Sequence, residues 1–200
     1  SLELLYAMDP SITLYYSHKQ LNIKNEFKPT DFIQVNGNVN ELMVMKVLDL
    51  LDLKENHEVV DLFCGIGNFT IPIAQRVKKV IGIEYSEDLV DRARKNSSIN
   101  NIHNADFICE DLESVSKKWE DLNCDRLLLD PSRNGASEVI KNIRMFSPNK
   151  IVYVSCHPGT LARDSDLLVN QFGYVMSSAG IIDMFPHTSH VESVAVFDRE

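Results

Sequence analysis

The chain has 200 residues, the length of one ordinary globular domain with a sizeable core. Its composition is 44% hydrophobic and 24% charged, which excludes an intrinsically disordered chain and a low-complexity repeat. With 20 basic and 29 acidic side chains, the net charge of −9 is unlike that of proteins that hold nucleic acid by electrostatics alone. Residues 131–200 carry six basic and seven acidic side chains and are nearly neutral. We therefore expect a polyanion to bind this part of the chain.

Membrane, metal and disulfide signals are absent from the sequence. No apolar run reaches the ~18–20 residues that a membrane-spanning helix needs, and no charged start leads into an apolar signal segment. The four cysteines show no C-x-x-C spacing, and so few in this length do not form a disulfide scaffold. We therefore expect a reduced, cytoplasmic protein without membrane contact. Because the chain begins with Ser1 rather than Met, we interpret it as a cut-out domain.

The first part of the chain predicts short strands and then a helix. Apolar and polar residues alternate over residues 12–16, and turn-forming residues follow, so residues 11–34 read as strands with turns. Residues 40–53 place apolar side chains at helical spacing. We therefore predict a strand-rich lead-in segment over residues 1–35 and one catalytic domain over residues 36–200.

From residue 58 onward, strand-like and helix-like segments alternate. Short apolar strands separated by amphipathic helices are typical of a parallel sheet covered on both faces. The predicted strands are residues 59–63, 80–83, 107–109, 127–129 and 151–154, and the predicted helices are residues 69–77, 87–99, 112–119, 136–145 and 161–170. Two further strands, residues 174–184 and 191–197, have no long helix between them. The prediction is an α/β fold with a mostly parallel seven-stranded sheet and a C-terminal antiparallel hairpin.

The first of these strands runs into a glycine turn. Gly65 and Gly67 allow a sharp bend and a close approach of the backbone to a ligand. The dinucleotide fingerprint requires a third glycine where this chain has Thr70, so a pyrophosphate cradle is incomplete. Glu84 ends the second strand, where a carboxylate can accept hydrogen bonds from ribose hydroxyls. The combination favours an adenosine without pyrophosphate, as in S-adenosylmethionine, over a purely structural turn beside a surface glutamate.

Two more carboxylates follow predicted strands. Asp111 comes after the third strand, where a single acid is more often a helix N-cap than a ligand. Asp130 follows the fourth strand, at the sheet edge where ligands of open α/β sheets bind. The residues after it, Pro131-Ser132-Arg133, lack the Pro-Pro-aromatic run with which N-methylating enzymes grip a base amine. This disfavours N-methylation.

A cysteine ends the fifth strand. Pro158 is typical of a first helical turn, so Cys156 lies just ahead of a helix N-terminus. The partial positive charge there, with His157 and Arg163 nearby, predicts a lowered pKa of the Cys156 thiol. The other three cysteines fit the role of buried, inert thiols better.

The stretch of residues 183–193 carries two histidines and a glutamate. His187 and His190 have no third ligand at a suitable spacing, so no metal site is predicted. Glu192 stands near the start of the last strand, and the residues alone leave it either a general base or a surface acid.

Together these segments resemble the catalytic domain of the RNA uracil-5-methyltransferases, which make 5-methyluridine with S-adenosylmethionine. The run Ser-Cys-His-Pro-Gly-Thr-Leu-Ala-Arg-Asp at residues 155–164 is specific to this family. The run Asp-Met-Phe-Pro-His-Thr-Ser-His at residues 183–190 resembles the branch acting on 23S ribosomal RNA more than the transfer-RNA branch. The other resembling segments are residues 31–36, 61–70 and 129–133, so the resemblance spans the chain from about residue 27.

The resemblance implies a Rossmann-like class I methyltransferase fold, a ribosomal RNA substrate, Cys156 as the nucleophile and Glu192 as the base. It also implies a cofactor pocket, with Asp111 standing where an asparagine is expected. The pocket positions are Gln34, Phe63, Asn68, Glu84, Asp111 and Asp130, beside the glycine turn. Family members usually have an N-terminal oligonucleotide-binding barrel as well, and some hold an iron–sulfur cluster on N-terminal cysteines. Neither region is in this sequence.

Four alternatives stay open beside this interpretation. A transfer-RNA uracil-5-methyltransferase would share the same chemistry. An RNA cytosine-5-methyltransferase typically has a second cysteine in the segment where this chain has residues 130–133. A nucleotide-dependent oxidoreductase is disfavoured by Thr70, and a non-catalytic cofactor- or RNA-binding module is disfavoured by the presence of both Cys156 and Glu192.

Overall fold

The computed structural model describes residues 13–114, 119 and 122–199, and nine strands and five helices follow one another in this part of the chain. The strands are β1 (Leu14–His18), β2 (Ile23–Phe27), β3 (Glu58–Leu62), β4 (Lys79–Glu84), β5 (Ala105–Cys109), β6 (Arg126–Leu129), β7 (Lys150–Ser155), β8 (Tyr174–Ile182) and β9 (Glu192–Arg199). The helices are α1 (Gly37–Leu50), α2 (Thr70–Ala74), α3 (Glu87–Ile99), α4 (Ser137–Lys141) and α5 (Pro158–Phe172).

Seven strands form one sheet in the order β5-β4-β3-β6-β7-β9-β8, and β1 pairs with β2 in a separate hairpin. Strands β3 to β7 pair in parallel, whereas β9 pairs antiparallel with both β7 and β8. This confirms the predicted α/β fold with its C-terminal antiparallel hairpin. The strand order reverses between β3 and β6, and the crevice at such a switch point is where ligands of open α/β sheets bind.

Several element boundaries differ from the prediction. Helix α1 begins three residues earlier than predicted because the Asn36 side chain caps it by accepting a hydrogen bond from the Val39 backbone N–H. The helix predicted over residues 69–77 is short, and the one predicted over residues 136–145 divides into α4 and a 3₁₀ turn, Ile143–Met145. In the helix predicted over residues 112–119, residues 115–118 lie outside the described residues, as do residues 1–12 of the lead-in segment.

The central strands are buried on both faces. In β6, Leu127 and Leu129 pack into one core cluster and Leu128 into the other, and all three are fully buried. Such continuous apolar strands are typical of a parallel sheet between helices. The backbone is therefore fixed at the carboxyl ends of these strands, where the site residues lie. In the described part of the chain, no helix combines the length and apolarity needed to cross a membrane.

A buried ion cluster holds the N-terminal hairpin to α3. The Arg92 Nη1 atom lies 2.5 Å from Glu26 Oε1, and Arg92 Nε lies 3.5 Å from Asp31 Oδ2. All three side chains are less than a tenth exposed. Loss of one partner would leave a buried charge without compensation. The cluster therefore fixes Asp31, three residues before Gln34.

Candidate active site

A cavity of about 470 Å³ opens at the carboxyl ends of β3, β4, β6 and β7, beside the switch point of the sheet. Eight of the ten site residues predicted from the sequence line it: Gln34, Phe63, Gly65, Asn68, Glu84, Asp130, Cys156 and Glu192. Gly67 and Asp111 do not line it. The parallel strands bring these residues together because their carboxyl ends meet at one edge of the sheet.

The backbone of the glycine turn bends sharply, as its sequence predicts. Phe63, Gly65 and Gly67 all have positive φ, at 64°, 55° and 91°. At Gly67 an added Cβ would lie 3.1 Å from the Ile71 side chain. Gly67 therefore allows the following helix to pack close to the turn, whereas Gly65 faces the cavity.

Glu84 joins two loops at the rim of the cavity. Its Oε2 accepts a hydrogen bond from the Gly65 backbone N–H at 3.2 Å, and its Oε1 accepts one from the Ser86 backbone N–H at 3.0 Å. Each carboxylate oxygen retains a free lone pair. A half-buried carboxylate held in this way can accept hydrogen bonds from two neighbouring hydroxyls of a ligand.

Asn68 is the centre of a polar network below the cavity. Its Oδ1 accepts hydrogen bonds from Tyr16 Oη and Asn40 Nδ2, both at 3.0 Å, and lies 3.2 Å from His18 Nε2. Its Nδ2 donates to Asn40 Oδ1 at 3.1 Å, which leaves one amide N–H for a ligand. Tyr16 itself lines the cavity. The sequence analysis missed Tyr16, although its place in the alternating run of residues 12–16 was visible.

Two polar side chains in this region have buried oxygens without a hydrogen-bond partner. Gln34, which lines the cavity, has an unpartnered Oε1. Asp61, near the end of β3 and fully buried, accepts a hydrogen bond from Thr70 Oγ1 through Oδ2, while its Oδ1 has no partner. Burial raises the pKa of Asp61 to about 7. Buried acceptors without donors are rare in proteins, so the Gln34 oxygen is suited to a ligand that brings a hydrogen-bond donor.

Cys156 and Glu192 lie at neighbouring ends of two paired strands. The antiparallel register of β7 and β9 pairs Ser155, the last residue of β7, with Ser193. Cys156 directly follows Ser155, Glu192 directly precedes Ser193 at the start of β9, and both residues line the cavity. Glu192 is 3% exposed, and burial raises the pKa of its carboxyl group. A thiol and a carboxyl group therefore face the same end of the cavity.

The predicted lowering of the Cys156 pKa is wrong. Burial raises the pKa of this thiol, and the nearby carboxylates of Glu192 and Asp130 raise it further. The two cations invoked from the sequence are engaged elsewhere. His157 Nδ1 accepts a hydrogen bond from the Thr160 backbone N–H as the cap of α5, and Arg163 binds Asp164. These surroundings therefore favour the protonated form of the Cys156 thiol.

Asp111 lies apart from the other predicted site residues. Its side chain is exposed, and Oδ1 accepts a hydrogen bond from the Glu113 backbone N–H at 2.9 Å. The bond closes a local turn of the Asx type instead of holding a ligand. The structure therefore does not bring Asp111 together with the pocket.

Arg133 is the only lysine or arginine among the cavity-lining residues that the structure describes. Its Nη2 lies 3.2 Å from Nδ1 of His190, so the segment after β6 contacts the loop before β9. Neither residue was assigned to the site from the sequence. Within the described ranges, no three or more His, Cys, Asp or Glu side chains form a group that could hold a metal ion.

Replacing Asp130 with asparagine is expected to raise the unfolding temperature at pH 8 and to leave it unchanged near pH 4. Burial and the charges of Glu192 and Asp61 raise the pKa of Asp130 well above its ordinary value. The unfolded chain therefore loses this proton first, and the stability of the wild type falls as the pH rises above about 4. Asparagine carries no charge, and each kcal/mol relieved raises Tm by about 2–4 °C.

Calorimetry at both pH values checks this expectation, with Asp166→Asn as the matched control because Asp166 is exposed on α5. The same Tm for Asp130→Asn and the wild type at pH 8 would show that the Asp130 charge costs the fold nothing.

Comparison with known proteins places these observations in one family. The family model for tRNA (Uracil-5-)-methyltransferase matches residues 12–200. A 23S rRNA (uracil(1939)-C(5))-methyltransferase of Xylella fastidiosa is 49% identical over 100% of this chain and 45% of its own length. One of Stenotrophomonas maltophilia is 51% identical over 89% of this chain and 40% of its own length. The chain thus spans less than half the length of these relatives.

Solved structures show the same fold. The Pyrococcus abyssi tRNA (uracil-54, C5)-methyltransferase, in complex with S-adenosyl-L-homocysteine, superimposes with a TM-score of 0.79 at 32% identity. The superposition covers 92% of this chain and 44% of that protein. A second solved structure, M. jannaschii TYW2 in complex with AdoMet, has a TM-score of 0.71 at 19% identity and shows the fold alone. The predicted Rossmann-like methyltransferase fold is confirmed.

Proposed function

Because this chain belongs to the tRNA (uracil-5-)-methyltransferase family, we propose that it methylates C5 of a uridine in 23S ribosomal RNA, with S-adenosylmethionine as the methyl donor. The observation that carries the proposal is that Cys156 and Glu192, which flank the last residue pair of β7 and β9, line the same cavity close enough for the Glu192 charge to act on the thiol. The similarity to relatives named for 23S rRNA supports ribosomal over transfer RNA. A cytosine-5-methyltransferase is disfavoured because residues 130–133 contain no cysteine.

The residues at the cavity fit S-adenosylmethionine, which supplies a methyl group made electrophilic by a sulfonium charge. Glu84 is placed to accept hydrogen bonds from the ribose hydroxyls, and the unpartnered oxygen of Gln34 is suited to a donor on the methionine portion. Asp61, Asp130 and Glu192 add carboxyl groups near the same space, with Arg133 as the one lining lysine or arginine in the described chain. These carboxyl groups give the cavity a negative potential, which favours binding of a cation.

In this proposal Cys156 acts as a covalent nucleophile. Uracil C5 is too weak a nucleophile to accept a methyl group unaided, and addition of the thiolate to C6 turns C5 into an enolate carbon. Asp130 and Glu192 raise the thiol pKa as long as their charges are uncompensated, so a bound cation favours the thiolate. A uridine within folded RNA must be splayed out of its stack to reach this thiol.

Glu192 acts as the general base in the second half of the reaction. After methylation, C5 still carries its proton and C6 is still bonded to the Cys156 sulfur. Transfer of that proton to the Glu192 carboxylate lets the electron pair form the C5–C6 double bond, and the C6–S bond breaks. The position of Glu192 in the same cavity as Cys156, where its charge acts on the thiol, supports this role.

The domain arrangement and location follow as part of the proposal. Residues 36–200 are the catalytic domain, and residues 1–35 are a lead-in segment that contributes Gln34 and Tyr16 to the cavity. An oligonucleotide-binding barrel, and any iron–sulfur cluster, would belong to the length of the relatives that this chain does not span. Methylation of 23S ribosomal RNA would place the protein in the cytoplasm.

The proposal predicts a covalent complex with RNA that contains 5-fluorouridine. Fluorine at C5 cannot leave as a cation, so the methylated adduct stays attached to Cys156. A denaturing gel should show a shifted band only when S-adenosylmethionine, the RNA and Cys156 are all present. The matched control is the same RNA with 5-fluorocytidine, which separates uracil from cytosine chemistry. Absence of a band from both the chain and a fusion carrying a relative's oligonucleotide-binding barrel would contradict the proposal.

A further inference from the structure

A buried carboxylate ties three parts of the site together. Asp164 on α5 is fully buried, and its Oδ2 accepts hydrogen bonds from the Ala136 backbone N–H and from Tyr153 Oη, both at 2.7 Å. Its Oδ1 accepts from Arg163 Nε at 2.8 Å and lies 2.7 Å from Arg163 Nη2. Tyr153 belongs to β7, three residues before Cys156. The carboxylate thus joins the strand of the cysteine, the helix that follows it and the segment after β6.

Asp164 occupies a position where an apolar residue would be expected. The buried residues of α5 are Leu161, Asp164, Ser165 and Leu168, which form the inner face of the helix. A buried carboxylate costs free energy unless donors surround it, and well-packed apolar residues often replace such groups without loss. Helix packing alone therefore does not account for an aspartate here.

The segment after β6, residues 131–136, lies with its last three residues directly against Asp164 and Arg163. Arg163 Nη2 donates a hydrogen bond to the Asn134 carbonyl oxygen at 2.9 Å. At Gly135, where φ is 78°, an added Cβ would lie 2.5 Å from Arg163 Nη2 and 2.6 Å from Asp164 Oδ2. Ala136 then donates its N–H to Asp164. We call residues 131–136 the 131–136 loop.

Apart from its contacts with Asp164 and Arg163, the 131–136 loop contacts His190 through Arg133 and packs into the core through Ala136. Asp130, just before it, is held by the sheet, since its N–H donates to the Leu62 carbonyl oxygen. Within the loop, the Gly135 N–H closes a turn on the Ser132 carbonyl oxygen. Arg133, in this turn, lines the cavity. Burial and the adjacent Asp164 carboxylate raise the pKa of Tyr153, so its hydroxyl stays a donor at physiological pH.

We propose that Asp164 is a positioning residue: through Tyr153, Arg163 and Ala136 it holds the 131–136 loop at a fixed place relative to Cys156, and so sets the shape of the base-binding end of the cavity. The effect of Asp164 on methylation rests on the proposed function, whereas its effect on the loop does not. Asp164 touches no part of the cavity that binds the adenosine portion, so its loss affects the base-binding end selectively.

The test compares Asp164→Asn and Tyr153→Phe with the matched control Asp166→Asn, which makes the same chemical change two residues away on the exposed face of α5. The first readout is amide hydrogen exchange of the 131–136 loop and of β3, which needs no activity. The second is the single-turnover methylation rate, set beside the dissociation constant of S-adenosylmethionine.

In Asp164→Asn we expect exchange at Ala136 to accelerate tenfold or more, with β3 unchanged. The methylation rate should fall tenfold or more, while the dissociation constant of S-adenosylmethionine stays within threefold of the wild type. Tyr153→Phe should show the same pattern to a smaller degree, and it serves as the decisive variant if Asp164→Asn does not fold.

Two results would overturn the inference. One is wild-type exchange at Ala136 in the folded variants, and the other is faster exchange throughout the sheet with an unchanged methylation rate at a temperature where the variants are folded. An inactive wild type would instead count against the proposed function, and the exchange measurement would still decide whether Asp164 holds the loop.

Discussion

Replacing Cys156 with alanine is expected to abolish methylation and to leave binding of S-adenosylmethionine intact. Cys156 lies at the end of β7, and its side chain lines the cavity beside Asp130 and Glu192. Without the thiol, no covalent bond to C6 can form, and C5 remains too weak a nucleophile. Removal of a covalent nucleophile typically lowers the rate by roughly 10⁴-fold or more.

The loss should be specific to the methylation step. Transfer of a labelled methyl group to RNA measures the rate, and calorimetry measures the affinity for S-adenosylmethionine. Cys109→Ala is the matched control, because Cys109 is the exposed free cysteine at the end of β5 and does not line the cavity. The control should retain wild-type turnover. Turnover of Cys156→Ala within tenfold of the wild type would exclude Cys156 as the nucleophile.

The sheet and most of the pocket could be predicted from the sequence because they depend on local patterns. Apolar strands and amphipathic helices alternate from residue 58, and such alternation predicts the parallel sheet and its ligand-binding edge. Gly65, Glu84 and Asp130 each lie at the end of a strand or within three residues after it. Their convergence at one cavity therefore requires only that the strands lie side by side in parallel.

The features that the sequence could not predict depend on distant contacts. Tyr16 reaches the cavity because the β1–β2 hairpin packs against α3, held there by the buried Arg92 cluster and by hydrogen bonds to Asn96 and Asn100. Arg133 meets His190 across 57 positions of the chain. No pattern of neighbouring residues reveals either contact, since both are formed by elements that pack together after the chain has folded.

The pKa of Cys156 shows how a sound local rule can fail. A helix N-terminus does favour a thiolate, and α5 does begin at Pro158. The burial of the thiol and the two carboxylates brought to it by β6 and β9 outweigh that effect. Such carboxylates are invisible in the sequence around residue 156. The same surroundings therefore favour the protonated thiol.

Replacing Glu192 with glutamine is expected to halt the reaction after methyl transfer, so that the protein accumulates as a covalent complex with ordinary uridine-containing RNA. Glutamine matches the shape of the buried glutamate but cannot accept the C5 proton, so elimination of the Cys156 sulfur is blocked. The adduct is measured as a band on a denaturing gel, without any fluorinated base. Glu138→Gln, on the exposed face of α4, is the matched control and should show no such band.

The pH dependence of adduct release separates a base from a group that only shapes the pocket. Burial raises the pKa of Glu192, so its carboxylate form is lost as the pH falls through a value above that of an exposed glutamate. In the wild type, acidification should therefore lengthen the lifetime of the adduct, while the Glu192→Gln adduct should show no such dependence. Normal turnover of Glu192→Gln would assign the proton to another group. A pH-independent lifetime in the wild type would show that proton removal by Glu192 does not limit release of the adduct.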